Sequence, residues 1–169
     1  MNIPLALETA LSETIRAKGQ LVSGVVIRTW QSLRSDSGID RDGSRQFPMI
    51  DIRATPPMTA DDQATLHSTI AIECKTLVDD DREHMQIQQL YTGVQDVCDE
   101  MFGDFRTDGC DPGEGSALRI FLDAIAAYPE NAFFQFGGLT FEEPLAPFDD
   151  DGRNSIGISM RVHYSRSDW

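Results

Sequence analysis

Apolar residues recur along this chain with two periods, near four and two, and the changes of period divide it into elements. Over residues 3–18 Leu7, Leu11 and Ile15 stand four apart. Asn2 is placed to cap, Pro4 suits a first turn and Gly19 a C′ position, so an amphipathic helix is expected. Residues 21–30 (LVSGVVIRTW) are β-branched and read as a strand, with a short continuation of the first helix as the alternative. Over 47–55, Met49, Asp51 and Arg53 alternate with Ile50, Ile52 and Ala54. This predicts a half-buried strand entered through Pro48 and broken at Pro56-Pro57. Over 67–78 Ile70, Ile72 and Cys74 point one way while Glu73 and Lys75 point the other, a second strand.

The period then lengthens. From Arg82 to Phe102 the apolar positions are Ile87, Leu90, Tyr91, Val94, Val97, Cys98, Met101 and Phe102, a helical stripe buried along one face. Asp80 followed by Glu83 resembles a capping box at its start, and Gly103 is expected to end it. Residues 104–115 read as a turn-rich link, and 116–128 as a shorter helix with Leu118, Phe121, Leu122 and Ile125 on its apolar face. Two strands follow. The first, 132–142, is aromatic-rich and holds Gly137-Gly138, which predicts a bulge or a close backbone approach. The second, 155–165, alternates with Ile156, Ile158, Met160, Val162 and Tyr164 inward, and the stretch from Pro144 to Gly152 between the two is expected to be an acidic loop.

Strands and helices are segregated in the order α, β, β, β, α, α, β, β. The expected architecture is α+β, an antiparallel or mixed β-sheet of about 4–5 strands with helices packed mainly on one face. A length of 169 residues suits a single α+β domain over 1–169. One segment breaks the pattern. Residues 31–46 (QSLRSDSGIDRDGSRQ) have almost nothing to bury and run longer than most internal connections, so they are expected to be a long polar loop that orders on assembly. Within it Arg34, Asp36, Asp40, Arg41 and Arg45 are the candidate assembly-interface residues, the arginines being positive charge in an acidic chain.

The net charge of −14 is unevenly spread. Residues 96–152 hold 14 acids against Arg106 and Arg119, whereas 153–169 carry three bases against one acid. Such a balance argues against binding nucleic acid by phosphate neutralisation. Asp149, Asp150 and Asp151 are the candidates for an acidic patch, read either as a solvated face or as a surface that repels phosphate. No apolar run reaches the roughly 18 residues of a membrane span. Glu8 and Glu13 fall where a signal peptide would be apolar, so synthesis in the cytosol is expected. Three irregularly spaced cysteines, Cys74, Cys98 and Cys110, suit a reducing compartment.

Motifs of chemistry are missing from the sequence. It has no G-x-G-x-x-G and no Walker A pattern, and His67, His84 and His163 are dispersed, without zinc spacing. Cys74 and Cys98 fall on core faces, where a small buried hydrophobe is the ordinary explanation. Asp149-Asp150-Asp151-Gly152 lacks the ligand spacing of a calcium loop, and Asp79-Asp80-Asp81 is accounted for by strand exit and capping. Asp104, Asp108, Asp111 and Glu114 would gather around a cation only if their link folded back, and solvated acids are the simpler reading. No enzyme activity, cofactor or metal is expected.

In sequence order, an amphipathic helix, a polar loop, the strand FPMIDIRAT, the strand STIAIECKTLVDDDREH with its acidic helix start, the helix MQIQQLYTGVQDVCDEM and the last strand SIGISMRVHYSRS form a pattern over residues 1–166. That pattern resembles the tail terminator and tail-completion (head–tail joining) proteins of long-tailed bacteriophages. The resemblance implies a non-enzymatic virion protein that forms a homo-oligomeric ring, usually a hexamer, at the head-proximal end of the tail tube. There it caps tube growth and joins tail to head. The implied partners are the tail tube protein and a head-completion protein, with DNA passing through a channel without sequence-specific binding and no membrane involved. The implied location is the host cytoplasm during assembly and then the tail or neck of the virion. The competing readings are a stand-alone small-molecule-binding or hydrolytic α+β domain and an acidic adaptor for a basic protein partner.

Overall fold

A computed structural model describes residues 3–21, 23–29, 47–59, 65–141, 148–150 and 152–166. In chain order the elements are α1 (Ile3–Lys18), β1 (Val26–Thr29), β2 (Met49–Ala54), β3 (Met58–Thr59), β4 (Leu66–Leu77), α2 (Met85–Asp108), α3 (Ala117–Ala126), β5 (Phe134–Phe141), β6 (Phe148–Asp150) and β7 (Arg153–Arg166). The architecture is α+β, as the segregated pattern predicts. The sheet is mixed, in the order β1-β2-β4-β7-β5, with β3 flanking β4 and β6 flanking β7. β1 and β2 are parallel and every other pairing is antiparallel.

β4 and β7 form the centre, paired from Leu66↔Tyr164 to Leu77↔Arg153. Because paired residues share a face, this register stacks Ile70 beside Met160, Ile72 beside Ile158 and Cys74 beside Ile156. β2 extends the rows with Ala54, Ile52 and Ile50. This apolar face meets the helices. Leu7, Leu11 and Ile15 of α1, Leu90, Val94 and Met101 of α2, and Leu118, Phe121 and Ile125 of α3 are all buried in the same core as Ile50, Ile70 and Val162. Tyr164 is fully buried, and its hydroxyl is satisfied by Ser68 Oγ at 3.0 Å.

α1 is tied to the sheet by a polar contact as well. Glu8, buried on α1, accepts a hydrogen bond from the Ala54 amide at 2.9 Å, just before Pro56-Pro57 interrupts the strand.

The structure moves both ends of the long helix. It begins at Met85, later than Arg82, and Asp81 rather than Asp80 tends its start: the Asp81 carboxylate accepts from the amides of Gln86 and Ile87, both at 2.9 Å. His84, at φ 60°, makes the turn into the helix. At the other end the helix passes Gly103 and runs to Asp108, taking in the first part of the expected link. Gly103 is exposed and costs about 1 kcal/mol relative to alanine. The extra turn brings Phe105 edge-on to Phe136 with ring centroids 5.6 Å apart, and Asp104 accepts from the Leu118 amide at 3.1 Å. Those two contacts outweigh the glycine, and Gly109, at φ 65°, ends the helix.

Other boundaries shift by less. The strand expected over 21–30 is confined to Val26–Thr29 after a turn at Gly24, φ 78°. The bulge anticipated in β5 falls between Phe136 and Gly138. β3 was not expected, and part of the supposed acidic loop is strand: β6 pairs Phe148–Asp150 with Ser155–Arg153. β2 departs furthest in character, with Met49, Ile50, Asp51 and Ile52 all buried, so its first half is covered on both faces. The polar loop at 31–46 lies outside the described residues.

Candidate functional site

The strands that bury their apolar residues under the helices present the alternate set on the other side of the sheet. Following the register, this second face carries Arg28 on β1, Met49, Asp51 and Arg53 on β2, His67, Thr69, Ala71, Glu73 and Lys75 on β4, Ser155, Gly157, Ser159, Arg161 and His163 on β7, and Thr140 on β5. It divides into two halves of different character.

The first half is self-neutralising, with Arg28, Met49, Asp51 and Ser155 buried and Glu73 and Lys75 half-buried. Lys75 Nζ lies 2.9 Å from Asp51 Oδ2 and 3.1 Å from Glu73 Oε2, and Arg28 Nη1 donates to Met49 Sδ at 3.2 Å. Ser155 Oγ donates to Glu73 at 3.4 Å. Two cations and two carboxylates here cancel, which is what keeps buried charge tolerable.

The second half is more open and carries Arg53, Arg161, His67 and His163. Arg53, Ala71 and Ser159 make one row, Thr69, Arg161 and Thr140 the next, and His67 and His163 the third. Arg53, Ala71 and Thr140 are exposed, and Arg161 and both histidines are half-buried. The imidazoles stand 6.0 Å apart, and His163 Nε2 lies 3.1 Å from Thr140 Oγ1. Burial first, and then the positive neighbours His67 and Arg161, hold His163 below the usual imidazole value. Small side chains, Ala71, Ser159 and Thr69, stand between the arginines.

The helical side has the opposite sign. Residues 96–130 carry nine acids against Arg106 and Arg119. Asp96, Asp99 and Glu100 stand at i, i+3 and i+4 on the exposed side of α2, with Gly103 one turn on. Arg119 is engaged locally by Asp111 at 2.6 Å and by the Pro112 carbonyl, so it adds little outward charge. A groove of about 540 Å³ lies between the chain leaving α1 and the first half of α2, bounded by Leu21, Met85, Gln88, Gln89 and Asp96. Its polar lining is mainly amide.

Asp81 holds a polar junction at the end of the sheet. Besides the two helix amides it accepts from Thr76 Oγ1 at 2.8 Å, and Asn154 Nδ2 bridges Thr76 Oγ1 and the Asp81 carbonyl. Burial acts to raise its carboxyl, but the hydrogen bonds outweigh burial and hold it below the ordinary aspartate value. The junction is structural: its groups are turned to one another.

Cys74 and Cys98 are buried. Burial is the main cause that pushes both thiols up to about 12, with Cys98 and Glu73 adding to it at Cys74 and Asp99 at Cys98. A thiol held there is not a nucleophile at neutral pH. Cys110 is exposed. No three His, Cys, Asp or Glu side chains of the described residues group as a metal set, and Asp104 and Asp111 have the protein partners given above.

Of the residues singled out from sequence, Arg34, Asp36, Asp40, Arg41, Arg45 and Asp151 lie outside the described residues. Asp149 and Asp150 belong to β6, opposite Asn154 and Arg153 in register. The cations of the exposed sheet face, Arg53 and Arg161, were not singled out. Their signal was present in the second phase of the same alternation that located the core. No described helix is long and apolar enough to cross a membrane. No protein-family model and no curated protein matches the sequence.

Proposed function

We propose that this protein is a non-enzymatic structural subunit similar in role to a phage tail terminator. It forms a ring, hexameric by that likeness, that caps the head-proximal end of a tail tube and joins it to a head-completion protein. Its partners are further copies of itself, the tube protein and the head-completion protein. DNA passes through the ring without sequence-specific contacts, and no cofactor takes part. Assembly takes place in the host cytoplasm and the product resides in the tail or neck of the virion.

The observation that carries this reading is the one-sided architecture. The segments that bear the resemblance and are described form a mixed sheet with three helices on one face and, on the other, a stretch of small side chains with exposed Arg53 and half-buried Arg161. An uncovered sheet face of this kind suits contact with protein neighbours, whereas ligand sites are concave with a few convergent polar groups. The experiment is the mass of the purified protein by light scattering, with negative-stain images, alone and with the tube protein. Closed rings at tube ends are expected. A strictly monomeric protein that neither binds tube ends nor changes tube length overturns the reading.

A further inference from the structure

The strand register gathers three metal-binding side chains into one row. β3 pairs Met58 with His67 of β4, and β4 pairs His67 with His163 of β7, so a thioether and two imidazoles stand on three adjacent strands, on the face away from the helices. Paired residues of an antiparallel sheet have Cβ atoms about 4.5–5.5 Å apart, close enough for long side chains to share one ion. The imidazole centroids are 6.0 Å apart. A ring nitrogen binds a metal at about 2.0–2.1 Å, which puts each centroid about 3.2 Å from the ion, so rotating the rings suffices to bridge them. Met58 is exposed and both histidines are half-buried, so the donors are reachable from solvent. His67 makes no hydrogen bond to a described residue. His163 Nε2 lies 3.1 Å from Thr140 Oγ1, and donating its proton there orients the ring and leaves the other nitrogen as a lone pair, as in metal-bound histidines.

We propose that Met58, His67 and His163 together bind one copper(I) ion. Two neutral imidazoles and a thioether are a soft, uncharged donor set, which selects copper(I) over the harder cations that carboxylates and carbonyls hold. The ring separation agrees with this choice. It opens the angle between the two nitrogens well beyond tetrahedral, which copper(I) accepts with a third, weaker donor, whereas zinc keeps to a tetrahedron. Charge agrees as well. Arg161 stands one row from the pair and repels any cation, and a monovalent ion meets half the repulsion of a divalent one. Burial, and then His67 and Arg161, hold His163 below the usual imidazole value, so it is neutral near pH 7, as a ligand must be. The bound ion fastens β3, only two residues long, to the centre of the sheet. The site lies within one chain, and the ring reading above neither needs it nor supplies it.

Copper(I) titration of the full chain, without oxygen and against a chromophoric copper(I) chelator, tests the site. Cys110→Ser is the background, because the exposed Cys110 thiol would bind copper on its own. One equivalent of copper(I) should bind, and X-ray absorption should show two nitrogen neighbours and one sulfur. His67→Gln and His163→Gln should each weaken binding by about tenfold or more. Met58→Leu should weaken it by about threefold or more and remove the sulfur neighbour. His84→Gln, at an exposed position before α2, should leave it unchanged. Far-ultraviolet circular dichroism and melting without metal confirm that each variant is folded, and Met58→Leu, at an exposed position, carries the test if a histidine variant is not. Copper(I) should raise the melting temperature of the background chain and not that of the histidine variants. A chain that binds no equivalent, binding indifferent to a folded histidine variant or to Met58→Leu, or zinc held as tightly as copper(I) overturns the inference. None of these failures touches the ring reading, which is decided by the mass of the assembly.

Discussion

The two faces of the sheet are built by the same strands, residue by alternating residue, and they treat water in opposite ways. On one face Ile70, Ile72, Met160 and Val162 are excluded from solvent by three helices. On the other, positions one residue along hold Thr69, Ala71, Arg161 and His163, exposed or half-buried. The first face supplies stability, since its energy comes from apolar area removed from water and from close packing. The second contributes little to folding and carries the charge that a partner can read. Between them lies an exception, the start of β2, where Met49 and Asp51 on the second face are buried as completely as Ile50 and Ile52 on the first. There the charged groups had to be paired internally, and Lys75 does this.

Truncation should separate the faces most sharply. Leu90, fully buried on α2, packs in the core under the sheet, so Leu90→Ala should cost about 2–5 kcal/mol. Thr140→Ala, at an exposed position of the other face, should stay within about 0.5 kcal/mol despite losing its contact with His163. Urea denaturation of both variants checks this pair. Equal losses would mean that the second face is also core.

The Asp81 junction belongs to the covered side and should rank next. Asp81→Ala removes the acceptor for the Gln86 and Ile87 amides and for Thr76, so a loss of about 2–3 kcal/mol is expected. Its pH dependence has a definite sign. The folded-state carboxyl lies below its ordinary value, so the stabilisation is complete above the ordinary aspartate pKa and is lost as pH falls through the folded value. The gap between the unmodified chain and Asp81→Asn should therefore narrow in acid. Stability curves from neutral pH to about pH 3 test it. A constant gap would mean that Asp81 acts through shape alone.

How much of this was legible depends on whether a feature needs one segment or several. α1 and the alternating phases of β4 and β7 rest on their own periodicity, and the sequence locates them to within a residue or two. The extension of α2 beyond Gly103 was not legible, because the reason for it, Phe105 against Phe136, comes from a strand some thirty residues later. β3 and β6 are two and three residues long and exist only as partners of β4 and β7. The sheet-face arginines lie in the same category. Arg53 and Arg161 are more than a hundred residues apart, and only the order β2-β4-β7 puts them on neighbouring rows.

Gly93 offers a smaller effect whose sign is informative. In the middle of an ordinary helix, Gly→Ala gains about 1 kcal/mol. At Gly93 an added Cβ would sit 2.8 Å from the Gln20 carbonyl oxygen, and that neighbour is backbone rather than a flexible side-chain tip. The clash should prevail, giving a net loss of about 1–2 kcal/mol for Gly93→Ala. Gly103, on the same helix with nothing near its Cβ position, is the control, and Gly103→Ala should stabilise by up to about 1 kcal/mol. Opposite signs in thermal denaturation would show that the chain leaving α1 is clamped on α2. Matching gains would mean that the connection yields.

The smallest effect expected returns to the exposed face. His163 is held below the ordinary imidazole value by burial first, and then by His67 and Arg161. A group depressed in this way contributes fully where both folded and unfolded chains hold it neutral, above the ordinary imidazole pKa. The contribution is lost as pH falls through that value toward the folded one. His163→Gln keeps a side chain able to reach Thr140 and removes the proton-binding difference. It should leave stability near neutral pH almost unchanged and flatten the decline between about pH 7 and pH 5. Because the same protonation adds positive charge to the row beside Arg161, the imidazole signal followed by nuclear magnetic resonance should also move upward when Arg161 is replaced by Gln. A signal indifferent to Arg161 would leave burial and His67 as the causes, and Arg161 would then stand apart from the imidazole pair.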